Sequence, residues 1–310
     1  MPISEENKGY LMVAAASVLW GTMGINAQFL YHQGLTASHI VFWKLAFGFL
    51  IILCWLLLMD RRLLKISRKG FFQTLLMGFY CQALYNYFIF SSIEYTGVAT
   101  ATILLYTSPT FVILMSRLFF QEKLSPVKIT ALVLCSLGAV LTVTEGRMDA
   151  LEIDRFGVGM GLLAGFTFAV STLGTKALSM QINKWTLSLY FFGFGALFSI
   201  PISNPLGVFA VNPGPAVWLG LFLQGLLPTA MGYGLYIRAF SKGIEASRAG
   251  ILTTLEIIVA VGASALLFGD RIWGLKLLGI LMVFVSVIII QPHKPTHLWL
   301  REKQTAKQRP

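Results

Sequence analysis

Two ionisable residues stand inside apolar stretches of this 310-residue chain, Lys44 in the run 36–59 and Glu256 in the run 246–268. An ionised side chain at the centre of a bilayer costs roughly 2.5–3.5 kcal/mol on insertion scales unless it finds a partner or water. At a helical rise of about 1.5 Å per residue, Lys44 lies ~12 Å inside one end of its run and Glu256 ~15 Å inside the opposite end of its own, near the midplane. Such depths let Lys44 pair with Glu256, which would neutralise both. Lys44 could equally snorkel, hold a neighbouring helix or touch a solute. A midplane carboxylate such as Glu256 suits attraction of a cation or exchange of a proton.

Polar and aromatic residues gather at similar depths. Gln82, Tyr85 and Asn86 follow i, i+3, i+4 spacing and share one helix face, while Tyr80 and Tyr87 share another. Tyr233 and Tyr236 sit in the run 216–239 with Met231 beside them and Pro228 before them; Thr102, Tyr106 and Pro109 share one side of the run 97–119; Trp20, Thr22 and Asn26 belong to the run 9–30. Rings combined with amides and hydroxyls suit a small amphipathic organic molecule, although interhelical packing has an equal claim on any one of them. The candidate substrate-binding residues are therefore Trp20, Gln82, Tyr85, Asn86, Tyr106, Tyr233 and Glu256, with Lys44 as an intramembrane charge. Pro109 and Pro228 are candidate helix breaks, because proline removes a backbone hydrogen bond.

Signatures of catalysis are missing. The chain contains no H-E-x-x-H, no G-x-S-x-G, no phosphate loop and no pair of intramembrane aspartates. His32, His39, His293 and His297 lie at loops or ends, and Cys54, Cys81 and Cys135 lie in apolar runs without paired spacing. Neither an enzyme, a metal site nor a cofactor is expected.

The elements that must position these residues are membrane helices. With 56% hydrophobic and 12% charged residues, and a mean hydropathy of +0.74, the chain cannot cover a soluble surface. Ten apolar runs reach the ~20 residues that a bilayer requires, at about 9–30, 36–59, 70–92, 97–119, 126–144, 156–178, 185–203, 216–239, 246–268 and 272–291. The chain also repeats itself at an offset of 148 residues: Gly9 falls on Gly157, Ala16 on Ala164, Tyr85 on Tyr233, Ser116 on Ser264 and Lys128 on Lys276. Five spans per copy is an odd number, so the second copy must enter the membrane from the other side. The expected fold is an all-α integral membrane protein, ten transmembrane helices forming two inverted five-helix repeats around a central cavity. The units expected are 1–148, 149–296 and a flexible basic tail at 297–310. Spans one, three, four, six, eight and nine carry the mid-depth polar residues and should line the interior. Spans five and ten are nearly all aliphatic and should face lipid or a second subunit, which makes a homodimer the expected protein partner.

The net charge of +11 points to orientation rather than to nucleic acid. Apart from Lys44, every Lys and Arg falls at the ends shared with the N-terminus except Arg147, Arg155, Arg271 and Lys276. That asymmetry predicts both termini in the cytoplasm of a multi-pass plasma (bacterial inner) membrane protein.

Several short motifs in this order resemble the drug/metabolite transporter superfamily, specifically its ten-helix EamA-type branch. They are Leu19-Trp20-Gly21, a basic residue in span two, Pro109, Glu122-Lys123-Leu124-Ser125 ahead of span five, Gly138, then Leu255-Glu256, Gly269-Asp270-Arg271 and Gly279. The resemblance covers about residues 8–291. It implies a basket of helices around a central cavity, spans five and ten at the periphery, and transport of amino acids or other small metabolites, often outward. Lys44 stands where the family often has Arg, Asp270 where it usually has Glu, and Ile257 where it often has Pro. The last departure removes the proline argument for matched breaks in spans four and nine.

The leading expectation is a transporter, and more narrowly an exporter, of small amphipathic metabolites such as amino acids, working by alternating access. An organic-cation carrier using Glu256 and the aromatic residues is the second reading. A lipid flippase or a non-transporting membrane receptor are the readings from other classes.

Overall fold

The computed structural model describes residues 4–147, 151, 153–269 and 271–291. The tail expected at 297–310, and Asp270, lie outside the described residues. Among the described residues every regular element is helical. In order these are α1 (Glu5–Gly21), α2 (Met23–His32), α3 (Ala37–Met59), α4 (Arg68–Gly78), a π-helical turn (Phe79–Leu84), α5 (Tyr85–Leu105), α6 (Ser108–Phe120), α7 (Pro126–Thr144), α8 (Arg155–Ser179) and α9 (Lys184–Ser203). After them come α10 (Pro215–Gln224), a second π-helical segment (Gly225–Tyr233), α11 (Gly234–Phe240), α12 (Ala246–Leu252), α13 (Leu255–Phe268) and α14 (Gly274–Ile289). Two short 3-10 turns, at Arg61–Leu64 and Pro205–Val211, complete the set.

Local sequence starts and stops these helices. Ser4, Ser67 and Ser125 accept N-cap hydrogen bonds from Asn7, Gly70 and Lys128, and Asp154 does so from Gly157. Thr36 and His39 form a reciprocal capping box ahead of α3. Eight helical stretches are long and apolar enough to cross a membrane, and Ser108–Phe120 and Gly274–Ile289 are shorter apolar helices. One of the eight, Arg68–Leu105, is interrupted at Gly97, whose φ of 70° and ψ of 168° are not helical. Glycine lacks the Cβ that disfavours positive φ. Divided there, the helices correspond to the ten runs of the sequence.

Three spans break in mid-course, and the breaks define the interior. Span one parts at Thr22, span four at Tyr106–Thr107 and span nine at Thr253–Thr254. Pro109 stands in the first turn of α6, where its missing N–H costs nothing. Span nine breaks without proline. There the hydroxyls of Thr253 and Thr254 donate to the carbonyls of Gly250 and Ile251, at 2.8 and 2.6 Å, as Thr107 donates to Leu104 at 2.6 Å. These threonine hydroxyls bond back three residues beside each break; the Leu104 and Ile251 carbonyls also accept the backbone amides of Thr107 and Thr254, at 3.1 Å each.

Pro228 produces a π-helical segment rather than a clean break. The i→i+5 ladder that starts at Gln224 bypasses the N–H that Pro228 lacks, and the Thr229 hydroxyl adds a bond to the Gln224 carbonyl at 2.9 Å. Spans five and ten pack on each other: a Cβ on Gly138 would meet the Gly279 carbonyl at 2.7 Å, and one on Gly279 would meet that of Gly138 at 2.6 Å. The remaining surface of this pair is apolar and exposed at Val133, Leu137, Leu281 and Phe284.

The largest buried cluster lies at one end, and a smaller one, of Leu30, Leu35, Ile40, Val208, Val217 and Leu221, packs α2, the start of α3 and α10 at the other. Tyr10, Val13, Ala16, Val112, Ile113, Ile244, Ile251 and Leu252 are buried together at the end that carries the N-terminus. Beyond the three breaks, towards the end that carries the 145–155 connection, the same helices enclose a cavity.

Candidate functional site

The cavity measures about 390 Å³, at the small end of ligand pockets. Six of the seven candidate residues line it: Trp20, Gln82, Tyr85, Tyr106, Tyr233 and Glu256. Asn86 does not. Its amide donates to the backbone carbonyl of Gln82 at 2.6 Å and is buried against its own helix. The i+4 spacing that put Asn86 on the polar face also put its side chain within reach of that carbonyl.

Each wall residue is held by a neighbour. The Trp20 indole donates to the Pro228 carbonyl at 3.0 Å and packs on Tyr233, with ring centroids 4.9 Å apart. Tyr233 leans in turn on Phe192 at 5.7 Å, and Tyr85 on Phe168 at 6.2 Å. These contacts fix the rings at one orientation and leave their hydroxyl ends to the interior. Tyr236, one turn beyond Tyr233, donates to the Thr172 hydroxyl at 3.1 Å and belongs to the packed end.

The two charges face the cavity without pairing. Tyr106 donates to Glu256 Oε1 at 3.2 Å, across the break of span four to the start of α13. Gly21 lets α1 pack closely on α13, because a Cβ there would meet the Glu256 carbonyl at 2.8 Å. Lys44 and Glu256 form no ion pair; among the described residues the Lys44 ammonium has one close contact, Met23 Sδ at 3.9 Å. The pairing suggested by their depths is therefore corrected: similar depth on two helices does not bring side chains together when a cavity lies between those helices. Span two accordingly joins the lining through Lys44 and Leu45, whereas span six contributes only Phe168. Thr253 and Thr254 also line the cavity. The sequence signal for them was a polar pair inside an otherwise aliphatic run.

Beneath the cavity an ion network closes the packed end. The buried carboxylate of Glu122 accepts from Lys176 Nζ at 2.7 Å, from the amides of Ala246 and Ser247 at 2.7 and 3.1 Å, and from the Ser247 hydroxyl. Lys128 lies 3.8 Å from Glu122 and 3.2 Å from Glu245, which also holds Arg248. Arg248 reaches on to the Ile290 carbonyl at 2.8 Å. Burial alone would raise the Glu122 carboxyl, but Lys176 and the Ser247 hydroxyl and amide outweigh it and hold it below the usual 4.5. At the opposite end the ion pair of Glu145 and Lys276, at 3.0 Å, is more exposed.

A site of this kind, walled by fixed rings, carrying two separated charges and open towards one end of a helical bundle, suits binding and passage of a solute. No group of three or more His, Cys, Asp or Glu that could hold a metal occurs among the described residues.

Comparison with known proteins gives the same answer. The chain is 28% identical to the "Pseudopaline exporter CntI" of Pseudomonas aeruginosa, covering 84% of this chain and 88% of that one. It is 26% identical to the "Uncharacterized inner membrane transporter YicL" of Salmonella typhimurium, over 91% and 95%, and 24% identical to the "Uncharacterized transporter YxxF" of Bacillus subtilis, over 92% and 90%. A protein of known crystal structure, 15% identical, shares the fold with a TM-score of 0.75 over 91% of this chain and 95% of that chain. The sequence pattern of the EamA-like transporter family matches twice, over residues 7–144 and 155–291, and on that double match the chain is a multi-pass membrane protein that belongs to the EamA-like transporter family.

Proposed function

We propose that this protein exports a small zwitterionic metabolite of the amino-acid type, by alternating access through the cavity between its broken helices. The observation that carries this reading is that Lys44 and Glu256 line one cavity unpaired. Leaving two opposite charges apart in a low-dielectric site is costly, and a ligand bearing an ammonium and a carboxylate would complement both. Tyr106 holds the Glu256 carboxylate in place, and the rings of Trp20, Tyr85 and Tyr233 would cover the apolar part of the solute. A carrier of organic cations would have to seat its cargo beside Lys44, which disfavours that reading.

Outward transport is supported by the Pseudomonas relative, an exporter, and the inner membrane by the Salmonella relative, an inner membrane transporter. With both termini in the cytoplasm, the cavity would open outward and the Glu122 network would close the cytoplasmic side. The cycle then requires the network to part while the outer halves of spans one, four and nine close over the solute. The breaks at Thr22, Tyr106–Thr107 and Thr253–Thr254 are the hinges available for that motion.

The test is a thermal-shift series on the detergent-purified protein with an amino acid, the amine lacking its carboxylate, and the carboxylic acid lacking its amine. A ligand that binds the native state raises its apparent stability by mass action. The zwitterion should stabilise most, Lys44→Met should abolish its advantage over the amine, and Glu256→Gln its advantage over the acid. Equal shifts from the zwitterion and the amine would overturn the reading.

A further inference from the structure

A second cavity, of about 440 Å³, lies on the outside of the bundle between α3, α9 and the helices that follow Pro215. Its walls are apolar, with Trp55 and Trp185 towards the charged end, ring centroids 6.3 Å apart, and Leu226 and Met231 farther along the groove. Two cations, Lys184 and Arg238, line the same groove, both at the end of the bundle that carries the N-terminus. Neither forms an ion pair among the described residues. Their neighbour Lys242, by contrast, is neutralised by Glu5.

Lys184 has no carboxylate partner among the described residues; its ammonium lies over the Trp185 ring, 5.8 Å from the centroid. This residue is the first of α9, where the aligned peptide dipoles present positive charge, and it also feels the charges of Arg238 and Lys242. A cation at the positive end of a helix, among like charges and without a carboxylate, is a local conflict that an external anion would relieve.

The dimensions name the anion. From Arg238 back to Leu226 is twelve residues, or ~18 Å along a helix, close to the ~15 Å depth of one leaflet's hydrocarbon. A ligand that fits has a negatively charged head at the bundle end and an apolar chain of leaflet length. We infer that this groove binds one anionic phospholipid, its headgroup phosphate between Lys184 and Arg238 and an acyl chain along Trp55, Leu226 and Met231. The site is separate from the central cavity, yet the two share one wall: Ala230 and Met231 face the lipid groove, and Tyr233, two residues on, faces the solute cavity. Lipid in the groove would therefore brace the π-helical segment that positions Tyr233.

The experiment reconstitutes the full chain in phosphatidylcholine bilayers with graded amounts of dibrominated phosphatidylglycerol and follows tryptophan quenching. The signal of Trp55 and Trp185 is the difference between wild type and W55F/W185F. Brominated phosphatidylglycerol should quench it saturably at low mole fraction, while brominated phosphatidylcholine quenches only in proportion to its abundance. K184Q and R238Q should each lower the preference for the anionic lipid roughly fivefold, the effect of one basic side chain near an anionic surface. Inorganic phosphate at millimolar concentration should not compete. Equal quenching by both lipids would reduce the groove to ordinary lipid contact, and a preference unchanged in K184Q/R238Q would remove the headgroup site. Signal unquenched by either lipid would mean that a second copy of the chain covers the groove. Each of these three results overturns the inference.

Discussion

At the scale of single residues, the cavity is organised around the bond from Tyr106 to Glu256 and the solitary ammonium of Lys44. Tyr106→Phe keeps the ring and removes one hydrogen bond to a charged group, a difference of about 1.5–3 kcal/mol. The unfolding midpoint of the purified protein should fall by a corresponding amount, and ligand affinity should weaken as the Glu256 carboxylate loses its anchor, as thermal unfolding and isothermal titration in detergent would show. Lys44 and Glu256 give a second expectation. Because they do not pair, the stability effects of Lys44→Met and Glu256→Gln should add in the double variant, whereas an ion pair would show rescue. Unfolding midpoints of the three variants decide between the two. The residue types at this site were legible in the sequence, since polar groups in hydrocarbon need a reason. Asn86 shows the limit of that argument: its reason was the Gln82 carbonyl one turn back.

At the scale of elements, hydroxyl groups bond back to carbonyls beside the breaks and within the π-helical segment. Thr229→Val should remove the hydroxyl bond to the Gln224 carbonyl and cost about 0.5–1.5 kcal/mol, readable as a lowered unfolding midpoint of the purified protein. Larger effects belong to the segment between α6 and α7. Glu122→Gln would leave Lys176 without its carboxylate, while Lys128 keeps Glu245 at 3.2 Å, and breaking a buried ion pair in this way costs about 3–5 kcal/mol. The pH dependence has a definite sign. Glu122 is held below the ordinary 4.5, so its contribution is complete above that value and is lost as pH falls through the lowered folded value. Between pH 7 and pH 3 the wild type should therefore lose more of its thermal stability than Glu122→Gln does. The break in span nine was not legible from proline, because Ile257 occupies the place; the side-chain bonds of Thr253 and Thr254 accompany it.

At the scale of the whole molecule, the asymmetry between its two ends is the main result. The largest buried cluster lies at the end that carries the N-terminus, and the cavity lies beyond it, around the three breaks. In a variant lacking the three native cysteines, Val112→Cys should resist a water-soluble thiol reagent, and adding Glu122→Gln should make it reactive. Val112 is 1% exposed beneath the cavity, so its labelling reports opening of that end. The excess of Lys and Arg at the N-terminal end predicts that a cysteine in the tail at 297–310 is labelled only from the cytoplasmic side in intact cells.

The sequence by itself determined that the chain is helical and membrane-embedded, and where its helices run, because burial in hydrocarbon imposes a length and a composition that can be read residue by residue. It also supplied the candidate charges, Lys44 and Glu256, since an ionisable group in an apolar run stands out without any knowledge of its neighbours. Which of these groups meet was decided only by the tertiary structure. Lys44 and Glu256 are 212 positions apart on different helices, and whether they touch depends on how those helices splay around the breaks. The same holds for the Glu122 network, which gathers Lys176, Ser247 and Lys128 from three separate helices. Periodicity describes one helix at a time; the partner across the bundle is set by packing.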